Sequence, residues 1–204
     1  GPTGAGKTTM VKLLMRFYDV NEGAILIDGY DIRNFTRNEL RSIFGMVLQD
    51  TWLYNGTIKD NIRYGKLDAT DEEIVEAAVR AEIHKEIMEM PDGYDTYIGE
   101  RGVMLSGGQK QKIALARALV HDKPIIIFDE ATSNTDAYSE QQINGLLDTR
   151  LKDKTVIVIT HKKEVLSKVD QIVVLKEGVV ADLGRYDDLI GKSDELNVML
   201  EKAE

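Results

Sequence analysis

The chain has no cysteine. That excludes a disulfide framework and any thiolate-ligated metal site, and it fits a reducing compartment. A basic excess is also missing. Thirty-five acidic residues stand against 26 Lys and Arg, for a net charge of −9 over 204 residues. A binder of duplex DNA normally presents a basic stripe to the phosphates, so no nucleic-acid partner is expected. No apolar run approaches the roughly 20 residues of a membrane span. The longest runs, at 125–128, 156–159 and 172–175, are strand-sized. There is no internal repeat and no low-complexity tract. The length suffices for one sizeable core, or a core with a subdomain.

What is there begins at the first residue. Gly1-Pro2-Thr3-Gly4-Ala5-Gly6-Lys7-Thr8-Thr9 fits the phosphate-binding pattern G-x-x-x-x-G-K-[ST]. Its glycines let the backbone turn tightly and aim consecutive N–H groups inward, which makes a nest for an anion. Lys7 adds a full positive charge for the β- and γ-phosphates of a nucleotide. The Thr8 hydroxyl is placed to ligate the Mg²⁺ that bridges them. Met10, Val11, Leu13, Leu14 and Phe17 recur at helical spacing, so the loop opens a helix whose N-terminus favours the same anion. In a nucleotide-binding fold such a loop follows a strand. Nothing precedes Gly1 here, so the expectation is a domain truncated at its N-terminus.

Along the chain, 21–23 reads as a turn and 24–28 as a short strand closed by Asp28-Gly29. Thr36 with Glu39 forms a capping-box pattern that starts a helix through Ser42. A buried strand over 45–48 ends at Gln49. From about 57 to 119 the strand signals vanish and helix caps recur, Thr57 with Asp60 and Thr70 with Glu73. The second leads into a helix with Ile74, Val75 and Ala78 on one face, and Pro91-Asp92-Gly93 breaks the run. This section is expected to be a helical subdomain inserted into an α/β core. The core resumes with a strand at 125–128, a helix at 138–151, a strand at 155–159 and a helix at 162–169. Strands at 172–175 and 179–183 flank a hairpin turn, 176–178. Such alternation argues for a mainly parallel sheet covered on both faces. A polar, Leu-bearing helix from Ser193 is expected at the periphery.

Two further stretches carry chemistry. Leu105-Ser106-Gly107-Gly108-Gln109 precedes an apolar helical run, and Ser106 with Gln109 has capping-box spacing. The physics is again a helix N-terminus open to an anion, now with a hydroxyl. Taken alone, the five residues read more readily as an ordinary glycine-rich cap. The strand at 125–128 delivers two carboxylates to its C-terminal end, where ligands of α/β folds sit. There Asp129 suits Mg²⁺, and Glu130 is positioned to polarise an attacking water. Gln49 and His161 each close a predicted strand. The first can touch Mg²⁺ or the lytic water and the second can donate to a γ-phosphate, but singly each reads first as a polar strand end. His84 and His121 have no partners at metal-ligand spacing and are expected at the surface.

In this order, these residues resemble the nucleotide-binding domain of an ATP-binding-cassette (ABC) transporter over nearly the whole chain. The resemblance implies one ABC ATPase domain over 1–204, lacking the strands before its Walker A loop. Its P-loop NTPase (RecA-like) core would be formed by 1–50 and 120–204, with a helical subdomain at 51–119. Gly1, Pro2, Thr3, Gly4, Ala5, Gly6, Lys7, Thr8 and Thr9 correspond to Walker A, Gln49 to the Q-loop, and Ser106, Gly107, Gly108 and Gln109 to the LSGGQ signature. Asp129 and Glu130 correspond to Walker B and its catalytic glutamate, and His161 to the switch histidine. Asp136 closes Ser133-Asn134-Thr135-Asp136 at the D-loop position, where Ser-Ala-Leu-Asp is more usual. The implied catalytic set is Glu130, His161 and Lys7, and the implied Mg²⁺ ligands are Thr8, Gln49 and Asp129. Residues 97–102 resemble the X-loop of exporters. Residues 50–58 also resemble exporters, in which that segment receives the coupling helices of the membrane domain. Thr160-His161-Lys162-Lys163 departs from the usual Ala- or Thr-His-Arg-Leu. The family's adenine-stacking aromatic lies before Walker A and has no counterpart here.

The resemblance further implies a mechanism. Two cassettes, identical or not, close head to tail on two ATP molecules, each held by one subunit's Walker A loop and the other's LSGGQ motif. The second partner would be an exporter's transmembrane domain, N-terminal on the same full-length chain, which puts this domain at the cytoplasmic face of the cell membrane. Two other readings are a soluble ABC-type ATPase uncoupled from transport and a non-hydrolysing regulatory cassette. The first normally brings coiled coils or tandem cassettes, which this chain lacks. The second is opposed by Glu130, Ser106 and His161.

Overall fold

The computed structural model describes residues 4–48, 52–99, 105–129, 145, 151 and 153–201. In chain order its elements are α1 (Lys7–Leu14), β1 (Leu26–Ile27), β2 (Tyr30–Asp31), α2 (Arg37–Ser42), β3 (Phe44–Leu48), α3 (Ile58–Arg63), α4 (Asp71–Arg80), α5 (His84–Met88) and α6 (Gly107–Leu119). There follow β4 (Ile125–Asp129), β5 (Thr155–Ile159), α7 (Lys163–Leu166), β6 (Ile172–Lys176), β7 (Val179–Gly184), α8 (Tyr186–Leu189) and α9 (Asp194–Glu201). Two compact units divide them. One is Phe44–Val158; the other joins Gly1–Ile43 to Ile159–Glu204. The helix expected over 138–151 lies outside the described residues, apart from Gly145, which is helical, and Leu151, which is buried.

The unit Phe44–Val158 is built around α6 and a three-stranded sheet ordered β3-β4-β5. β3 and β4 run parallel, from Phe44 opposite Ile125 to Leu48 opposite Asp129. Helix α6 is buried over most of its circumference, through Gln111, Ile113, Ala114, Leu115, Ala116, Ala118 and Leu119. A helix apolar on so many sides must be covered on several. Ile58 and Ile62 of α3 and Ile74, Ala77 and Ala78 of α4 share one continuous core with it, together with Ile126 and Phe128 of β4. Val75, expected on the buried face of α4, is only half-buried.

Each of these helices begins where a side chain satisfies a first-turn N–H. Thr57 with Asp60, Thr70 with Glu73, and Ser106 with Gln109 all form reciprocal capping boxes, as their spacing predicts. Thr36 with Glu39 does the same for α2. At the other end of α4, Glu82 turns left-handed at φ 57°. The Ile83 N–H then reaches back to the Ala78 carbonyl, and the fully buried Ile83 side chain anchors that reversal.

In the other unit, β1 and β2 form a hairpin across Asp28-Gly29, at φ 50° and 82°. These are the angles of a two-residue turn with both central residues left-handed. Sequence pattern places the first strand and the turn but not the second strand. β6 and β7 pair antiparallel from Ile172 opposite Gly184 to Lys176 opposite Val179, with a register shift after Val174. Their turn, Glu177-Gly178, has φ 50° and 82°. A second apolar cluster joins Leu166, Ile172, Val174, Leu189 and Leu196. The C-terminal helix is therefore not peripheral. Leu196 of α9 is fully buried, and the buried Ser193 hydroxyl accepts from the Leu196 N–H while donating to Asp182. Among the described residues, no helix is long and apolar enough to cross a membrane.

Candidate functional site

The phosphate-loop pattern forms a loop that runs into α1. Gly4 and Gly6 have φ of 82° and 101°, a backbone that only glycine adopts without cost. Gly6 is the N-cap of α1 and has no side chain to make a capping bond, unlike the Thr and Ser caps of α2, α3, α4 and α6. Ala5, between the glycines, is buried. Its carbonyl accepts from the Gly178 N–H in the β6–β7 turn at 3.1 Å. A Cβ built on Gly6 would lie 3.5 Å from the Gly178 Cα. Lys7 is half-buried, and Thr8 and Thr9 are exposed on the first turn. Gly1, Pro2 and Thr3 lie outside the described residues.

Two arginines hold the opposite end of α1. Arg41 donates to the Met15 and Arg16 carbonyls at 3.1 and 3.3 Å, and its guanidinium lies 4.4 Å from the Phe17 ring centroid. Arg16, itself left-handed at φ 53°, donates to the Phe35 carbonyl at 2.8 Å and to Asp19 at 2.6 Å. Cations at a helix C-terminus oppose its partial negative charge. The helix that opens at the loop is thus pinned at its far end.

Asp129 is the last residue of β4 and lies in register with Leu48, the last residue of β3. The two parallel strands therefore end level. Gln49 and Glu130, the next residue of each, lie outside the described residues, as does Asp136. His161 follows β5 by two residues and is half-buried. The chain there is shaped by Thr160, whose hydroxyl accepts from the Lys162 N–H at 3.1 Å. Lys162, where the sequence departs from the usual Arg, has its ammonium pushed below the ordinary lysine range by burial. His161 belongs to the same unit as the phosphate loop, and Asp129 to the other. Among the described residues, no cluster of three or more His, Asp or Glu is placed to hold a metal ion.

At the start of α6, the exposed Ser106 hydroxyl accepts from the Gln109 N–H at 3.2 Å, and Gln109 Oε1 accepts from the Ser106 N–H at 3.0 Å. The capping bond uses a lone pair of Oγ, which leaves the hydroxyl proton able to donate. Leu105 is buried beneath, and Gly107 is exposed.

Sequence reasoning missed three arrangements in this unit. Asn61, fully buried, accepts from the Tyr54 N–H and donates to the Tyr54 and Thr57 carbonyls, each at 3.0 Å. Arg117 of α6 donates to the Asn61 backbone and side-chain oxygens at 2.8 and 2.9 Å and to the Trp52 carbonyl at 2.8 Å. Burial pulls its guanidinium below the usual range. The two exporter-like stretches also pair with each other. The Ile58 N–H donates to the Thr96 carbonyl and the Ile98 N–H to the Gly56 carbonyl, both at 3.0 Å. The third concerns His84, which is not a plain surface residue. It is half-buried, with Nδ1 2.8 Å from the Tyr94 hydroxyl. Loss of hydration pushes the Tyr94 phenol up to about 12. His121 is exposed as expected.

A family model described as "ABC transporter" matches residues 1–133. The chain is 48% identical over 192 residues to "ATP-binding cassette sub-family B member 6" of Xenopus tropicalis, covering 94% of this chain and 23% of that protein. It is 48% identical over 192 residues to "Iron-sulfur clusters transporter atm1, mitochondrial" of Aspergillus fumigatus, covering 93% and 26%. Among solved structures, a bacterial Atm1-family ABC exporter with ATP bound superimposes with a TM-score of 0.93 at 44% identity, covering 100% of this chain and 36% of that one. The expected α/β fold with a P-loop NTPase core is borne out by that match. The chain spans about a third, or less, of the length of these relatives.

Proposed function

Because the chain belongs to the ABC transporter family, we propose that it is the nucleotide-binding domain of an exporter, binding and hydrolysing ATP to drive a substrate across a membrane. The observation that carries this reading is the loop Gly4–Gly6, left-handed at both glycines and opening directly into α1. Backbone N–H groups gathered in this way suit the β- and γ-phosphates, and Lys7 adds charge. Ser106, Gly107, Gly108 and Gln109 form a second glycine-rich helix start, this one with a serine cap. Two such starts on one chain make sense if each serves a different nucleotide, so the partner is a second cassette closing head to tail on two ATP molecules. The stretch 50–58 would receive the transmembrane domain of the full-length chain, and the helical section 51–119 would carry both that segment and the second helix start. The domain then lies at the cytoplasmic face of a membrane.

For Mg²⁺ the chain offers the Thr8 hydroxyl, the Asp129 carboxylate and the Gln49 amide oxygen. All are hard oxygen donors of the kind that ion prefers, and a sparse protein set suits an ion that keeps waters and phosphate oxygens as ligands. When bound, the ion offsets charge on the β- and γ-phosphate oxygens. Glu130 orients the attacking water and takes its proton as the oxygen bonds to the γ-phosphorus. The bond to the β–γ bridging oxygen breaks, and ADP leaves with the electron pair. His161 donates to a γ-phosphate oxygen, and Lys7 stabilises the charge that develops.

Steady-state ATP turnover by the full-length protein tests this. Glu130→Gln keeps the shape of the side chain but cannot accept the proton. The expected result is a fall in turnover of about a hundredfold or more with ATP binding retained, and ATP-bound dimers accumulate. Turnover at the unaltered rate would remove Glu130 as the base. Absence of ATP turnover in the unaltered protein would favour the non-hydrolysing cassette.

A further inference from the structure

The β6–β7 turn has no part in the chemistry above, yet it touches the phosphate loop. The Gly178 N–H donates to the Ala5 carbonyl at 3.1 Å, and the Gly6 and Gly178 backbones approach so closely that a Cβ on Gly6 would lie 3.5 Å from the Gly178 Cα. We propose that Gly178 is a positioning residue for nucleotide binding: its N–H holds the Ala5 carbonyl and thereby aims the Gly6 N–H into the phosphate nest. This inference rests on the function proposed above.

The argument is one of peptide geometry. The Ala5–Gly6 peptide is planar and trans, so its C=O and N–H point in opposite directions. Fixing one fixes the other. That plane turns about the Ala5 ψ and the Gly6 φ, and Gly6, at φ 101°, places little restriction on it. A peptide with glycine on its C-terminal side turns over more easily than one between two substituted residues, unless something outside the loop holds it. If it turned over, the nest would present a carbonyl oxygen to the phosphates instead of a donor. Ala5 is also buried, so its carbonyl would lose an acceptor bond that water cannot readily replace.

The turn is a firm anchor. The β6–β7 ladder runs up to Lys176 opposite Val179, leaving only Glu177 and Gly178 in the turn. Ile172 and Val174 secure β6 in the apolar cluster with Leu166, Leu189 and Leu196. Support thus passes from that core, through the ladder and one hydrogen bond, to the loop. The left-handed φ of 82° is what calls for glycine at 178, because a Cβ there would meet nothing within 4 Å. A residue that tolerates this backbone and keeps its N–H should therefore serve.

The test uses the full-length transporter and its steady-state ATPase. Replacing Gly178 with glycolic acid turns the amide into an ester and removes the N–H alone. The expected result is a rise in KM for Mg-ATP of about tenfold with kcat changed less than about twofold, because nest contacts act in ground and transition states alike. Gly178→Asn keeps the N–H and tolerates left-handed backbone; its KM should stay within about twofold of the unaltered value. In the unaltered protein without nucleotide, the Gly178 amide should already exchange slowly with solvent deuterium. The proposal is overturned by an ester variant with unchanged KM, by an Asn variant as impaired as the ester, or by Gly178 exchanging like an open turn. An unaltered protein that neither binds nor hydrolyses ATP would overturn the proposed function, and this inference with it.

Discussion

At Gly65 the chain passes so close to α6 that a Cβ would lie 2.0 Å from the Arg117 carbonyl oxygen and 2.8 Å from Val120 Cγ1. The first contact is backbone, so it cannot move aside as a side chain can. Gly65→Ala is therefore expected to destabilise the domain by about 3 kcal/mol, at the upper end of overpacking costs. The urea midpoint of the full-length protein measures it, and an unchanged midpoint would contradict the approach of these two segments. Arg117 sits at the same contact. Its acceptors are carbonyl and amide oxygens of Trp52 and Asn61, so hydrogen bonds rather than an ion pair offset its burial. That is a narrower solution than a surface salt bridge, because a buried donor left unmade costs more than an exposed one.

Several of the described helices are short. α2 and α3 have six residues each and α4 has ten, lengths at which a helix is marginal alone and depends on its caps and its packing. Thr70→Ala should cost about 1 kcal/mol of local stability, the usual worth of an N-cap. The same box has a pH dependence. The Lys66 ammonium and then the Thr70 N–H hold the Glu73 carboxyl below its ordinary value of 4.5. A depressed carboxyl contributes stability that is present above that ordinary value and is lost as pH falls through the folded one. The box at the start of α6 pairs Ser106 with Gln109, and neither titrates in this range. Amide exchange, corrected for its intrinsic pH dependence, should therefore speed up at the start of α4 below about pH 4.5 while the start of α6 keeps its protection. Equal loss at both would show that the carboxyl is not responsible.

For the whole molecule, the question is why one chain carries two helix starts suited to an anion. The α1 start is shaped by glycines and has its own lysine. The α6 start offers an exposed hydroxyl already held in place by Gln109. If the second start serves the nucleotide of another subunit, Ser106→Arg places bulk and charge where that subunit's γ-phosphate must sit. ATP-dependent dimerisation should then fail while each subunit still binds ATP through its own loop. Light scattering of the full-length protein with Mg-ATP checks this, and a normal ATP-dependent dimer would remove Ser106 from the composite site.

Much of this was legible in residue type alone, for a physical reason. Capping boxes close within three residues, and two-residue hairpin turns need a backbone that Asp-Gly and Glu-Gly supply. A phosphate loop is a run of glycines ending in lysine and threonine. These features depend on neighbours in the chain, so Thr36, Thr57, Thr70 and Ser106 announce their helices. The membership of the family lies in the same local motifs. The tertiary structure decided what depends on distant partners. Only the closed core brings Arg117 to Asn61, 56 positions away, or Gly65 against the α6 backbone. It alone buries Leu196, draws His84 from the surface to Tyr94, and pairs 56–58 with 96–98. The bond from Gly178 to Ala5 belongs with these. A sequence displays both glycines, but which carbonyl a distant N–H will meet is settled by how the strands and cores between them pack.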